Sequence, residues 1–218
     1  MDIVDNLKKI REKIAGAAER SGRKPSNVKL LIASKYLTAE QANQLVSFGQ
    51  KVFGENKVQE LVKKAEKVKG AEWHLIGHLQ SNKAMEAVQS CEVIHSVDSH
   101  KLLRKIQLAA HGLDKQQKVF LQVNVSGEAS KNGLKPGELA SFLDTYKQLP
   151  FGNVRIVGLM TMAPFSENKE DSRLYFKKLA DLAEEFRLPE LSMGMSNDFE
   201  VAIEEGATIV RIGKAITE

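Results

Sequence analysis

A lysine stands directly after an apolar segment in the first quarter of the sequence. Lys35 follows residues 30–34, whose composition predicts a buried strand. A lysine at that place either extends to solvent or stands in a cavity, where partial desolvation favours its neutral amine. Such an amine can attack a carbonyl carbon and form a Schiff base. A strand-end lysine that only reaches solvent is the commoner case, so Lys35 alone does not establish a Schiff-base site.

A polar segment near the C-terminus could bind an anion. Residues 192–198 close a predicted strand and open a predicted helix, with Asn197 as the expected N-cap and Glu200 at the third helical position. Ser196 then stands just before a helix N-terminus, where backbone N–H groups and the helix dipole favour a phosphate. The plainer alternative is that the segment only caps a helix.

The last predicted strand adds two candidates. Gly213 ends this strand and allows a ligand to approach the backbone closely. Arg211 alternates with Ile212 and is expected to point into the interior, where its guanidinium needs an acceptor. A ring nitrogen or carboxylate of a ligand could supply that acceptor, and so could a structural carboxylate of the protein.

All these candidates fall at the ends of predicted strands. Short apolar or β-branched runs alternate with amphipathic segments, which is typical of a parallel sheet covered by helices. About eight such units favour an α/β fold of the (β/α)8 TIM-barrel type, whose active site lies at the C-terminal ends of the strands and whose last two strands often hold a phosphate. The predicted strands span residues 30–34, 52–55, 73–76, 93–97, 119–125, 154–161, 191–195 and 208–212.

The remaining segments predict helices. Residues 2–20 carry apolar positions three or four apart and predict an extra N-terminal helix, so that residues 1–21 pack on the barrel in the place of its eighth helix. Gly49, Gly112 and Gly206 are expected at the C′ position, just after the last residue of a helix. No linker-like segment interrupts the alternation, so residues 1–218 predict a single domain. The other helices are predicted over residues 38–48, 57–68, 82–88, 99–110, 137–148, 169–186 and 198–204.

Composition narrows the functional classes. The chain has 218 residues, a net charge of +4 and 42% hydrophobic residues, as ordinary globular proteins do. Acidic and basic residues are interleaved and only 6% of residues are aromatic, which argues against nucleic-acid binding. We expect neither a membrane span nor a secretory signal. The single cysteine, Cys91, fits a reducing cytoplasm and is expected to be a packing residue.

Other potentially reactive residues are weaker candidates. His74 and His78 lie on a predicted strand and the following turn, without a third clear ligand, so we predict no metal site. Lys131, in a polar loop, is the second candidate amine. Methionines near strand ends are expected in the core or in a pocket wall. The sequence contains neither a GxGxxG segment after a strand nor a Walker-type phosphate loop.

Several longer motifs follow one another in a single order from about residue 30 to the last few residues. They are Ser34-Lys35, Phe53-Gly54-Glu55-Asn56-Lys57-Val58-Gln59-Glu60, Trp73-His74-Leu75-Ile76-Gly77-His78-Leu79-Gln80-Ser81-Asn82-Lys83, His95-Ser96-Val97-Asp98, Gln122-Val123-Asn124-Val125-Ser126-Gly127-Glu128, Gly158-Leu159-Met160-Thr161, and residues 192–196 and 205–213. In these motifs the chain resembles the YggS-like pyridoxal phosphate homeostasis proteins. The length and order of the motifs make the resemblance specific.

The resemblance implies a fold-type III barrel, like the N-terminal domain of alanine racemase. It implies that pyridoxal 5′-phosphate (PLP) is held covalently as a Schiff base on Lys35. It also implies that Asn56, His78 and Met160 line the ring of PLP and its substituents.

The resemblance further implies how the two ends of PLP are held. Ser196, Gly213 and the backbone amide of Lys214 would bind the phosphate, and Arg211 would face the pyridine nitrogen. An arginine, unlike a carboxylate, keeps that nitrogen unprotonated and makes the ring a poorer electron sink. Two features depart from the family pattern: Lys214 replaces a small hydroxyl residue, and the segment after Gly213 is shorter than usual.

Two functions fit these residues. The first is a cytoplasmic binding protein that buffers PLP, hands it to apo-enzymes, and acts as a monomer or weak dimer without strong catalysis. Racemases of this fold carry a second domain, for which we expect no room after Gly213. They also need an acid and a base on opposite faces of the substrate, and Tyr36 is expected to point away from Lys35.

The alternative is a small amino-acid racemase that uses Lys35 and a rim group such as His78. A Schiff-base aldolase fits the motifs less well, because it needs an acid or base beside Lys35.

Overall fold

The computed structural model describes residues 2–149 and 152–218. Within these residues, eight parallel strands close into a barrel in chain order, with the last strand paired to the first. The predicted TIM barrel is therefore confirmed. The strands are β1 (Lys29–Ala33), β2 (Val52–Glu55), β3 (Glu72–Leu75), β4 (Val93–Val97), β5 (Gln117–Gln122), β6 (Val154–Met160), β7 (Glu190–Ser192) and β8 (Ile209–Ile212).

Helices cover the outside of the barrel. The N-terminal helix α1 (Ile3–Arg20) starts at Asp2, whose side chain accepts a hydrogen bond from the Val4 amide. It contacts α8 and α9 on one side and α2 on the other, which is the place of a helix after the last strand. The helices that follow α1 are α2 (Ala39–Ser47), α3 (Val58–Lys67), α4 (Ala84–Ser90), α5 (His100–Gly112), α6 (Leu139–Lys147), α7 (Arg173–Glu185), α8 (Phe199–Glu204) and α9 (Lys214–Thr217).

The predicted elements differ from the observed ones mainly at their ends. β5 and β7 each end three residues before the predicted position. Gly194, with a φ of 90°, prevents β7 from continuing. Gly49 and Gly206 follow helices with positive φ, as predicted, but the prediction for Gly112 is wrong. That residue ends α5, and Asp114, with a φ of 47°, takes the left-handed conformation instead.

Side chains on the strands alternate between the helix layer and the barrel interior. His95 on β4 and Ser192 on β7 are hydrogen-bonded although these strands are not neighbours, so their contact crosses the interior. His74 and Arg211 belong to the same buried polar group. The apolar side chains of the interior are Leu31, Val52, Val93, Phe120, Val157, Met160 and Ile209.

Gly158 allows β6 and β7 to pair closely. A Cβ atom at this position would lie 1.8 Å from the carbonyl oxygen of Glu190 on β7. Because a paired backbone cannot move away without losing its hydrogen bonds, we expect Gly158→Ala to destabilise the protein by about 1–3 kcal/mol. Urea denaturation measures this, with Gly137→Ala as the control, since no described atom lies within 4 Å of a Cβ there. Equal stability of the two variants would contradict the close approach.

Two expectations from the sequence, on membrane spans and on Cys91, can be compared with the structure. Among residues 2–149 and 152–218, no helix is both long and apolar enough to cross a bilayer. Cys91 is buried behind β4, and burial raises the pKa of its thiol to about 12. This thiol is therefore a packing group, as predicted.

Candidate functional site

Lys35 lies at the C-terminal end of β1, in a short 3-10 helix of Ser34–Tyr36. Its side chain is exposed, and its Nζ lies 4.6 Å from the centroid of the Tyr36 ring. Of the two alternatives for Lys35, the structure therefore shows the one in which the side chain reaches solvent. The prediction that Tyr36 points away from Lys35 is wrong, because the chain leaves the extended conformation at Ser34. The amine is thus accessible at the mouth of the barrel.

A buried ion pair fixes the backbone next to Lys35. Glu55, at the end of β2, lies 2.6 Å from Lys64 Nζ and accepts a 2.6 Å hydrogen bond from Ser34 Oγ. Lys64 Nζ also donates to the carbonyl oxygen of Ser34. The Lys64 and Glu55 side chains are only 15% and 3% exposed, so water competes little with these contacts.

Sequence reasoning missed Lys64. A signal was present, because Lys64 continues the stripe of buried residues on α3 at a spacing of three from Val58 and Leu61. A lysine on the core side of a helix needs an anionic partner. Glu55, at a predicted strand end, was the available one.

Arg211 points into the barrel, as predicted, and is almost completely buried. Its Nη1 donates to the carbonyl oxygen and to Oγ of Ser192, both at 2.6 Å, and its Nη2 donates to the carbonyl oxygen of Thr161 at 2.8 Å. These bonds use three of the five N–H donors of a guanidinium. Burial lowers the pKa of Arg211 to about 10, although Asp198 favours the charged form. The Arg211 acceptors are thus carbonyl and hydroxyl oxygens.

Ser196 lies where the last two strands end. Its Oγ accepts hydrogen bonds from the amides of Gly213, at 3.3 Å, and Ala215, at 3.5 Å. Both amides belong to the start of α9. A Cβ at Gly213 would lie 3.2 Å from the Tyr36 ring, so Gly213 packs against the ring that Lys35 contacts just after β1. The structure therefore brings Lys35, Gly213 and Ser196 to one side of the mouth.

The helix after β7 begins one residue later than predicted. Asp198 is the N-cap of α8, and its carboxylate accepts a 2.7 Å hydrogen bond from the amide of Met195. Asn197 instead donates to the carbonyl oxygen of Ser166, at 2.9 Å. The predicted capping box of Asn197 and Glu200 is therefore wrong. Desolvation raises the pKa of Asp198, although the bond from Met195 acts against this shift.

The other residues of the predicted site lie around the same mouth at different depths. Asn56, after β2, is exposed. His78 follows β3, and its Nδ1 lies 3.5 Å from Asp98 Oδ2. Met160 ends β6 and is buried in the apolar group inside the barrel. Lys214 is exposed at the first position of α9.

The weaker candidates have structural partners of their own. Lys131 Nζ lies 2.8 Å from Glu128 Oε2 and 3.4 Å from the carbonyl oxygen of Met162. In the part of the chain that the structure describes, no group of three or more His, Cys, Asp or Glu is placed to hold a metal ion. Neither observation adds a second reactive centre.

Two buried histidines form a polar cluster that sequence reasoning did not connect. His74 Nδ1 lies 2.8 Å from His95 Nε2, His74 Nε2 lies 2.9 Å from Glu72 Oε1, and His95 Nδ1 lies 2.8 Å from Ser192 Oγ. Desolvation lowers the pKa of both histidines, so both rings are neutral at pH 7. Polar residues at alternate positions, as at 72 and 74, were the available sequence signal.

Comparison with known proteins finds relatives that match this chain along almost its whole length. The family model for the alanine racemase N-terminal domain matches residues 5–217. The pyridoxal phosphate homeostasis protein of Aquifex aeolicus is 46% identical, over 98% of this chain and 96% of the relative. The solved structure of PipY from Synechococcus elongatus, with PLP bound, is 36% identical at a TM-score of 0.81, covering 96% of this chain and 100% of that one.

A more distant neighbour shares the fold alone. The alanine racemase of Clostridium difficile superposes with a TM-score of 0.72 at 15% identity, over 97% of this chain but only 56% of the racemase. The homeostasis protein, in contrast, matches along its whole length. The chain therefore belongs to the family of pyridoxal phosphate homeostasis proteins, which have the barrel of the alanine racemase N-terminal domain.

Proposed function

We propose that this chain, as a single domain of residues 1–218, binds PLP at the C-terminal mouth of its barrel and maintains the supply of PLP without strong catalysis. One observation carries the proposal. An exposed lysine amine, Lys35, and the Gly213 amide that donates to Ser196 both adjoin the Tyr36 ring. This places an aldehyde-capturing group and an anion-binding group at one end of the barrel. Membership of the family supports the choice of ligand.

The residues present fit the phosphate of PLP. A phosphate accepts hydrogen bonds, and Ser196 Oγ lies within bonding distance of the amides of Gly213 and Ala215. Lys214 begins the same turn, so its backbone amide belongs to this donor set. Its exposed ammonium adds a positive charge where the family pattern has a hydroxyl.

The residues also fit the ring of PLP. Arg211 retains two N–H donors beyond its three described bonds, and an unprotonated pyridine nitrogen is an acceptor for one of them. With a pKa of about 10, Arg211 stays charged at pH 7 and does not give up its proton. Asn56 and His78 line the open side of the ring in this arrangement, and Met160 lies on the buried side.

When bound, PLP supplies an electrophilic aldehyde carbon. Nζ of Lys35 forms a C=N bond with that carbon, and the aldehyde oxygen leaves as one water molecule. The reverse reaction, with water, releases the ligand. Because Lys35 is exposed, water and incoming amines reach this bond. This accessibility supports reversible storage. The proposal includes PLP-dependent apo-enzymes as recipients and a carrier that is a monomer or weak dimer.

An amino-acid racemase is the second candidate. The observation that favours it is His78, whose ring lies beside Asp98 at the same mouth and could act as an acid or base opposite Lys35. Stereoinversion assays with a panel of amino acids separate the two functions. Turnover at roughly 1–10³ s⁻¹, the range of ordinary enzymes, would overturn the storage proposal.

The storage proposal is tested by loading the purified chain with PLP, reducing it with borohydride and mapping the labelled peptide. We expect one reduced PLP per chain, on Lys35, and transfer of unreduced PLP to an added apo-enzyme. A chain that stays unlabelled in excess PLP would contradict the proposal.

Replacement of Ser196 tests the phosphate site. Ser196→Ala removes one hydroxyl donor for a charged group, so we expect PLP affinity to fall about tenfold to a hundredfold. Equilibrium dialysis after mild acid release of PLP measures the change. Ser141→Ala is the matched control, because Ser141 Oγ donates to Glu138 on the outer surface. Equal retention by both variants would place the phosphate elsewhere.

A further inference from the structure

A continuous chain of hydrogen bonds crosses the barrel interior from Arg211 to Glu72. It runs from Arg211 Nη1 to Ser192 Oγ (2.6 Å), to His95 Nδ1 (2.8 Å), from His95 Nε2 to His74 Nδ1 (2.8 Å), and from His74 Nε2 to Glu72 Oε1 (2.9 Å). The two histidines and Ser192 are completely buried. Glu72 is 38% exposed and begins β3, at the face of the barrel opposite Lys35.

Only one arrangement of hydrogens satisfies every contact in this chain. The ionised carboxylate of Glu72 only accepts, so neutral His74 carries its hydrogen on Nε2 and accepts at Nδ1. Neutral His95 must then donate from Nε2 to His74 Nδ1, which leaves its Nδ1 to accept the hydrogen of Ser192 Oγ. Arg211 can only donate, so Ser192 Oγ accepts from it through a lone pair. In every bond of this chain, the donor lies on the Arg211 side and the acceptor lies on the Glu72 side.

The direction of the chain depends on both histidines being neutral. A second hydrogen on either ring would end this single direction, because Ser192 Oγ would then have to accept from His95 Nδ1 instead of donating to it. Burial favours the neutral rings, and the Phe120 ring stacks on His95 with centroids 4.6 Å apart. Hydrogen bonds that share one direction polarise one another, so the chain strengthens the contact between Ser192 and Arg211.

The charged groups around the chain lie near its outer end. Lys29 and Lys118 act on Glu72, and Glu190 acts on His74. At the inner end, Asp198 acts on Arg211. The chain thus joins a buried cation to a partly exposed anion through neutral groups, and each bond in it is within ordinary hydrogen-bond distance.

We propose that Glu72, His74, His95 and Ser192 are positioning residues that orient Arg211 towards the ring nitrogen of PLP. The inference rests on the proposed PLP site. Two carbonyl acceptors, on Ser192 and Thr161, hold Arg211 in the barrel even without the chain. The hydroxyl of Ser192 adds the contact that decides the tilt of the guanidinium. Its hydrogen is committed to His95, so only lone pairs of the hydroxyl are left to face Arg211.

Replacements of His95 and Ser192 test this role. His95→Leu removes both bonds of His95, whereas His95→Gln retains one donor and one acceptor and cannot titrate. Ser192→Ala is a smaller change that breaks the same link. His100→Leu, on the outer helix α5 where His100 stacks on Phe142, is the matched control for loss of an imidazole. The probe is PLP, and its release after dilution is followed by visible absorbance.

We expect His95→Leu and Ser192→Ala to release PLP at least about tenfold faster than the unmodified chain, and to change the pH dependence of the bound-PLP absorbance. His95→Gln should stay within about threefold of the unmodified chain and so rescue His95→Leu, and His100→Leu should not differ. Nitrogen NMR of the ligand-free protein should show hydrogen on Nε2 of both buried histidines.

The outcomes separate this inference from the function on which it rests. Normal release by Ser192→Ala, with full borohydride labelling of Lys35, would overturn the positioning role and leave the PLP site intact. An Nδ1 hydrogen on either buried histidine would overturn the direction of the chain. If the unmodified protein itself stays unlabelled in excess PLP, the proposed function fails, and the inference fails with it.

Discussion

Lys35→Ala is expected to abolish covalent retention of PLP while leaving the fold intact. The variant has no amine at the end of β1 to form the C=N bond, so borohydride reduction should fix no PLP to the chain. Because the Lys35 side chain is exposed and its Nζ lies over the Tyr36 ring, we expect its loss to change stability by less than about 0.5 kcal/mol. Absorbance spectra, mass spectrometry after reduction and urea denaturation measure these effects.

Lys131→Ala is the matched control for this experiment. Lys131 is the second amine near the mouth, but its Nζ is paired with Glu128. The Lys131 variant should retain the label on Lys35. Full labelling of Lys35→Ala would move the anchor to another amine, and peptide mapping would identify it.

The free energy of unfolding is expected to fall by up to about 4 kcal/mol between pH 7 and pH 5. The pKa of buried His74 and that of His95 are lowered from their ordinary value of 6.5, so the folded chain leaves both rings neutral. The unfolded chain takes up a proton on each below pH 6.5. Stability is therefore full above this value and is lost as the pH falls through it, by at most about 2 kcal/mol per histidine at pH 5.

Urea denaturation at several pH values measures this loss. Glu72 does not contribute in this window, because its pKa is lowered from 4.5 and its charge persists to lower pH. His95→Gln keeps a donor and an acceptor but cannot take up a proton, so it should remove about half of the loss. A stability that is constant between pH 7 and pH 5 would show that the pair is protonated when folded.

The fold could be predicted because local sequence patterns indicate it. Apolar runs alternate with amphipathic segments, and a parallel sheet needs that order. The ends of the helices and strands were harder to predict, because they depend on single residues whose role is set by neighbours in space. β7 stops at Gly194, whose missing side chain allows Phe199 and Ala202 of α8 to approach closely. Asp114, not Gly112, ends the turn after α5.

The candidate site was predictable to the extent that residues at strand ends meet at one barrel mouth. Arg211 points inward because the strand alternates, and Ser196 meets Gly213 because β7 and β8 are neighbours. The orientation of Tyr36 relative to Lys35 was mispredicted, because a 3-10 helix replaces the strand there. The contacts of Lys64 with Ser34 and of His95 with Ser192 join residues far apart in the chain, so no local pattern identifies the partners.

The position of α1 has a consequence for the synthesis of the protein. Its apolar stripe, with Leu7 and Ile10, packs on α8 and α9, and Asn6 donates to the carbonyl oxygen of Ile216 at 3.2 Å. Within this chain α1 is therefore synthesised before all eight strands, whereas its partners α8 and α9 follow β7 and β8. Until then its apolar stripe lacks that cover, so we expect the barrel to close only after translation of β8 and to depend on protection of α1 in the nascent chain.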